Sequence, residues 1–302
     1  MWKPLLACSL LVACSQGEAV APDGAPHQGR PPGVALCSSP VSSTHPATTA
    51  FATALRASDR ATRAAVIEDL AAAAEELPDE AQVQLYLGLA HLWRLAEPLA
   101  DETDVGAQLP SAIGARDSLQ RAYELCPTDH RIAAWLGPIL VRFGRTLGDQ
   151  DTIDEGLAIL DQGIAAYPSF VLFSKLLVYA DEPRSAPEFQ HALAAVLENI
   201  DACSLTPGDP ACTNETVPHN REGAALFLGD VLAKAGRRDE SLAAYDGGIA
   251  GPDFASWSYQ AILHERKAQL DARIALYTDA DPANDPPAAW TADNQCALCH
   301  AQ

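Results

Sequence analysis

Basic residues are scarce: 20 Lys and Arg stand against 40 Asp and Glu in a chain of 302 residues, a formal net charge of -20. A surface with so few cations has little to set against phosphates, which argues against nucleic acid as a partner and equally against anionic lipid headgroups. Methionine occurs once, at position 1, and aromatic residues make up only 6%. There is no Gly-rich phosphate loop and no nucleophile-elbow pattern, so nucleotide binding and serine-type hydrolysis have no sequence support. Nor does any stretch alternate with the period of two that a half-buried strand requires. What is abundant is alanine and apolar residues, the latter at 48%. Alanine has the best intrinsic helix propensity, so this composition predicts an all-α protein with ample material for a core.

The first residues read MWKPLLACSLLVACSQGEAV. A single lysine precedes an apolar run from Leu5 to Ala13, too short to span a bilayer and suited to an export signal. Leu11-Val12-Ala13-Cys14 resembles the lipobox of bacterial lipoproteins. Leu5-Leu6-Ala7-Cys8 has the same form, but it lies too close to Lys3 to leave an apolar core before it. The resemblance implies residues 1–13 as signal peptide and a lipid on Cys14. With Ser15 following, it also implies sorting to the outer membrane of a bacterial envelope, with the lipid as the only membrane contact. Residues 14–46 are rich in Pro, Gly and Ser (APDGAPHQGRPPG, SSPVSSTHP) and are expected to be a flexible tether.

Helix-length periodicity then governs residues 47–277. VIEDLAAAAEEL, ending before Pro78, and QVQLYLGLAHLWRLA are the first two expected helices. Three segments, LYLGLAHLW, AWLGPILVRFG and LFLGDVLAKAG, share a Leu-Gly pair inside a helical pattern. Each precedes a second helical segment that ends at a proline: ARDSLQRAYELCP, IDEGLAILDQGIAAYP and DESLAAYDGGIAGP. Small residues let paired helices approach closely, and proline stops the second helix. These segments resemble the tetratricopeptide repeat family, with the best match at 224–252. The resemblance implies an all-α helical-hairpin solenoid that binds other proteins. Two insertions, AEPLADETDVGAQLPS and TLGDQDT, are expected between the helices of the first and second pairs. SFVLFSKLLVYA and EFQHALAAVLENI form a further pair, and residues 254–277 are expected as one long terminal helix capping the array. Residues 278–302 form an acidic, Pro-rich linker and a last short motif.

That motif is Cys296-Ala-Leu-Cys299-His300. Random placement of 8 Cys and 8 His gives this pattern on the order of once in 200 such chains. It resembles the attachment motif of c-type cytochromes. The resemblance implies one covalent haem c, with Cys296 and Cys299 as thioether anchors and His300 as the proximal iron ligand. A redox dithiol or a metal site are the alternatives, but neither a βαβ context nor a fourth zinc ligand at short spacing accompanies it. The one methionine would leave with the signal, so the second axial position is expected to be open, or to be filled by a histidine of this chain or by a ligand from another protein. Candidates are His264, His91 and His219, with His130 and His191 behind them. Trp290 is a candidate to rest on the haem edge.

With Cys8 lost in the signal, Cys37, Cys126, Cys203 and Cys212 remain. They permit three pairings. CSLTPGDPAC favours Cys203–Cys212 across a turn, which leaves Cys37 for Cys126. The expected function is an envelope-anchored electron carrier that exchanges electrons with a redox partner protein or docks other envelope proteins through its repeats. The alternative is a repeat scaffold without redox chemistry.

Overall fold

The computed structural model describes residues 38–286, apart from 58, 60, 96–104, 201, 206, 214–218 and 280. The regular structure of the described residues is all helical, with no strand among them. The α-helices are α1 Pro40–Thr44, α2 Pro46–Arg56, α3 Arg63–Glu76, α4 Ala81–Leu95, α5 Val105–Leu125, α6 His130–Leu147, α7 Gln150–Ala166, α8 Pro168–Tyr179, α9 Pro187–Glu198, α10 Ala202–Leu205, α11 Asn220–Lys234, α12 Arg238–Ile249, α13 Gln260–Ala268 and α14 Leu270–Thr278. Among the described residues no helix is long and apolar enough to cross a membrane.

Local chemistry sets most of the boundaries. Proline occupies the first turn of α1, α2, α8 and α9, where its missing N–H leaves no bond unmade. Asp129 caps α6 by accepting from the Arg131 N–H at 3.2 Å. Between α11 and α12 the chain reverses at Gly236, whose φ of 78° falls in the left-handed region that favours glycine.

Three hairpins carry the core. Gly88 of α4 faces Leu119 of α5, and three residues further along α4 His91 meets Gly114, five residues earlier in α5. Gly137 and Gly144 of α6 face Leu160 and Ile153 of α7 in the same inverse order. Gly229 faces Tyr245, and Ala225 faces Gly248, in α11 and α12. Position numbers that rise on one helix as they fall on the other mean antiparallel pairs. The three Leu-Gly glycines thus do one job: each gives up a side chain where the partner helix inserts a large one. The receiving residues also correspond, because Leu119 and Leu160 stand eight residues before Pro127 and Pro168, and Tyr245 seven before Pro252. Successive units touch through α3 on α4, α5 on α6, α6 and α7 on α8, and α8 on α9. Phe173 of α8 meets Phe227 of α11 at 6.3 Å between centroids, which carries the apolar core into the last unit.

Four boundaries differ from the sequence reading. The folded body begins inside the expected tether. Ser39 caps α1 and donates to Glu80 at 2.6 Å, and Ser42 donates to Gln82 at 3.0 Å, so two serines anchor α1 onto the start of α4. The first insertion shrinks to 96–104, because α5 starts at Val105 and takes in Pro110. A single proline that early in a 21-residue helix removes only one intrahelical bond. The second insertion is a two-residue turn. Gly148, at φ 70°, ends α6, and Asp149 caps α7 by accepting from the Thr152 N–H at 3.3 Å and its hydroxyl at 2.7 Å. The terminal helix is broken into a 3-10 turn, α13 and α14. The break at Gln269 turns the chain from α12, against which α13 packs, onto α11, against which α14 packs.

Candidate functional site

Cys14, Cys37, Trp290, Cys296, Cys299 and His300 lie outside the described residues. What the structure does describe is the point from which the chain runs on towards the Cys296–His300 motif. Tyr277, near the end of α14, donates its hydroxyl to the Pro286 carbonyl at 2.9 Å and accepts from Arg273 at 3.1 Å. Arg273 is 3% exposed and lies 3.4 Å from the fully buried carboxylate of Asp230 on α11. The same carboxylate accepts from Tyr245 of α12 at 2.6 Å and sits 3.5 Å from Arg266 of α13. Asp230 therefore ties four helices together, and through Tyr277 it holds the backbone at Pro286. Burial first, and the neighbouring Asp230 charge second, push the Tyr245 and Tyr277 phenols far above the ordinary tyrosine range, so both stay protonated donors.

Lys234, at the end of α11, is also drawn inside. Its ammonium donates to the Ala180 carbonyl at 2.6 Å and lies 5.5 Å from the Phe189 ring centroid. Burial lowers its pKa, and Asp181, Asp285 and Glu182 oppose that shift. Sequence reasoning missed both Asp230 and Lys234. Their signal was an Asp and a Lys on the helix LFLGDVLAKAG, whose other positions are nearly all apolar or small.

The candidate histidines have separate surroundings. His264 is exposed on α13, with its ring edge-on to Phe254 at 5.5 Å. His91 is half-buried in the α4–α5 contact, where an added Cβ on Gly114 would fall 2.5 Å from its Nε2. His219 is 2% exposed, immediately precedes α11, and has a left-handed φ of 66°. Burial lowers the pKa of both His91 and His219, more than nearby Glu222 and Asp253 restore it for the latter. His130 is half-buried at the start of α6, and His191 is exposed on α9. Among the described residues no three His, Cys, Asp or Glu side chains are grouped to hold a metal ion.

Cys203 and Cys212 are joined by a disulfide with their Cα atoms 5.3 Å apart. The loop they close is seated by Asp209, which accepts from Tyr167 and Ser169 of the α8 N-terminal region, both at 2.7 Å, and from the Ala211 N–H at 2.9 Å. Cys126 is disulfide-bonded as well, and its partner is outside the described residues. Comparison with protein families, with curated proteins and with solved structures finds no match to this chain.

Proposed function

We propose that this protein is an exported, lipid-anchored monohaem c-type cytochrome whose body is a tetratricopeptide-like stack of helical hairpins. The observation that carries the reading is the Cys296-x-x-Cys299-His300 motif. Cys296 and Cys299 would hold the haem through thioethers and His300 would ligate its iron; the bound group would supply one-electron redox chemistry. The motif follows a Pro-rich linker, and the Tyr277–Pro286 bond gives that linker a set point of departure from the body. The body's part is then to carry the redox group at a defined place and to dock the protein that gives or takes the electron. The matched glycine contacts of the three hairpins support the repeat assignment, because in each a Leu-Gly glycine receives a large side chain from the partner helix. The apolar run before Cys14 and the disulfide at Cys203–Cys212 favour an oxidising envelope compartment.

The test is a pyridine haemochrome spectrum and an intact mass on protein exported with the haem-attachment machinery present. Covalent haem in the wild type, lost in Cys296→Ala/Cys299→Ala, is the expected result. Free, alkylatable thiols at both positions and no haem mass would leave only a repeat scaffold for envelope assembly.

A further inference from the structure

The two halves of the Cys203–Cys212 disulfide divide unequally between surface and interior. Cys203 lies in α10 and is exposed, whereas Cys212 closes the 3-10 turn Pro210–Cys212 and is only 8% exposed. An incoming thiolate therefore meets the bond at the Cys203 sulfur. Exposed disulfides are the ones that exchange, because attack needs a clear approach to one sulfur. Three residues before Cys203, Ile200 is 49% exposed, so a protein that approaches here meets apolar surface as well.

The frame around the pair does not depend on the sulfur–sulfur bond. Asp209, itself 2% exposed, accepts from the Tyr167 and Ser169 hydroxyls, both at 2.7 Å, and from the Ala211 N–H at 2.9 Å. Its carbonyl accepts from the Cys212 N–H at 2.7 Å. On the other side of Cys212, the buried Asn220 amide at the start of α11 donates to the Thr213 carbonyl at 3.2 Å. Cys212 is thus held from both directions, by α8 and by α11. Cys203 follows α9 through a turn in which the Ala202 N–H donates to the Asn199 carbonyl at 3.0 Å. Pro207 and Pro210 fix φ in the loop between the two cysteines. Reduction therefore leaves two thiols close together and not at the ends of a slack loop.

That proximity selects the reductant. A monothiol that opens the bond stays on Cys203, where the adjacent Cys212 thiolate attacks the mixed disulfide and expels it. A dithiol carries a second sulfur that completes the exchange before Cys212 can reverse it.

We propose that Cys203–Cys212 is a thiol–disulfide exchange site that takes two electrons from a protein dithiol. One thiolate of the partner attacks the Cys203 sulfur; the disulfide bond breaks, and its electron pair leaves on Cys212, which takes up a proton. The partner's second thiolate then attacks the partner sulfur of the mixed disulfide, and Cys203 leaves and is protonated. The partner ends as a disulfide, and two electrons and two protons have passed to the pair. This does not depend on the haem reading.

The experiment treats the exported full-length protein, in native buffer at neutral pH, with reduced thioredoxin as the protein dithiol or with glutathione at equal thiol concentration. Alkylation and peptide mapping assign each thiol, and circular dichroism follows the helices. Thioredoxin should convert both cysteines to thiols with the helical signal unchanged, and glutathione should leave the pair oxidised. In Cys212→Ser, oxidised glutathione should remain on Cys203, whereas Cys203→Ser should take up about tenfold less at the buried Cys212. Reduction by thioredoxin only in denaturant, reduction that melts the helices, glutathione matching thioredoxin, or equal labelling of the two cysteines would each overturn the proposal. The wild-type arms decide it even where a serine variant does not fold.

Discussion

The first and last hairpins solve the same packing problem with different chemistry. In α4, Leu85, Tyr86, Leu89, Ala90, Leu92 and Trp93 are all buried, and the contact with α5 at Gly88 is hydrocarbon against hydrocarbon. In α11 the equivalent glycine, Gly229, receives a tyrosine ring, and the next residue is a buried aspartate with two arginines and two tyrosines in reach. An apolar contact stabilises in proportion to the area buried but accepts many neighbours of similar shape. A buried carboxylate accepts very few, because each missing partner leaves a charge out of water. The difference suits the positions of the two hairpins. The first has only to continue a stack, whereas the last has to hold two short helices and the start of the linker in one arrangement.

The most damaging way to break the comparison is Asp230→Ala. It takes a buried carboxylate away from Arg273, Arg266 and Tyr245 and should destabilise by about 3–5 kcal/mol, read as a fall in the chemical-denaturation midpoint. If the loss is below about 1 kcal/mol, the cluster is not what holds α13 and α14. Gly229→Ala comes next. Its Cβ would fall 2.2 Å from a ring carbon of Tyr245, and the ring is tethered by its bond to Asp230, so overpacking should destabilise by about 1–3 kcal/mol. Gly88→Ala would meet Leu119 at 2.6 Å, and an aliphatic side chain without a polar tether can shift further. Its thermal midpoint should therefore fall less than that of Gly229→Ala. Equal losses would mean the polar hairpin is no more rigid than the apolar one.

Tyr277→Phe should cost about 1 kcal/mol, since it removes two hydrogen bonds but leaves the ring in place. Its clearer signature should be faster limited proteolysis between residues 279 and 295, with the hairpins before α13 unaffected. The smallest effect is on pH dependence. His219 and His91 have folded pKa values lowered from 6.5, so as the pH falls through that value the unfolded chain takes up protons that the native state refuses, and stability declines. His219→Asn, which keeps a residue tolerant of left-handed φ, should flatten part of this decline between pH 7 and 5. His91, in the first hairpin, should account for the remainder. Denaturation midpoints at several pH values check both.

The hairpins were legible because their signals are local: a Leu-Gly pair, a helical period and a closing proline. The ends of the elements were less so. Gly148 and Asp149 fill two positions of a segment that looked like an inserted loop, because capping consumes residues that composition alone assigns to a linker. Ser39 and Ser42 sat in a stretch that read as tether, and only their partners Glu80 and Gln82, some forty residues away, make them part of the fold. The candidate histidines were visible by type but not by access. Nothing in the sequence separates His264 from His219, yet one is exposed and the other buried.

By itself the sequence determined the helical class, the hairpin pairs and the Cys296-Ala-Leu-Cys299-His300 motif, because propensity, periodicity and covalent spacing all act over a few residues. Tertiary structure alone decided that Asp230 would gather Tyr245, Arg266 and Arg273, that Tyr277 would hold the chain at Pro286, and which histidines would face outward. Each of those depends on side chains brought together across tens of residues, where the cost of burying an unpaired charge selects the arrangement and no local pattern records it.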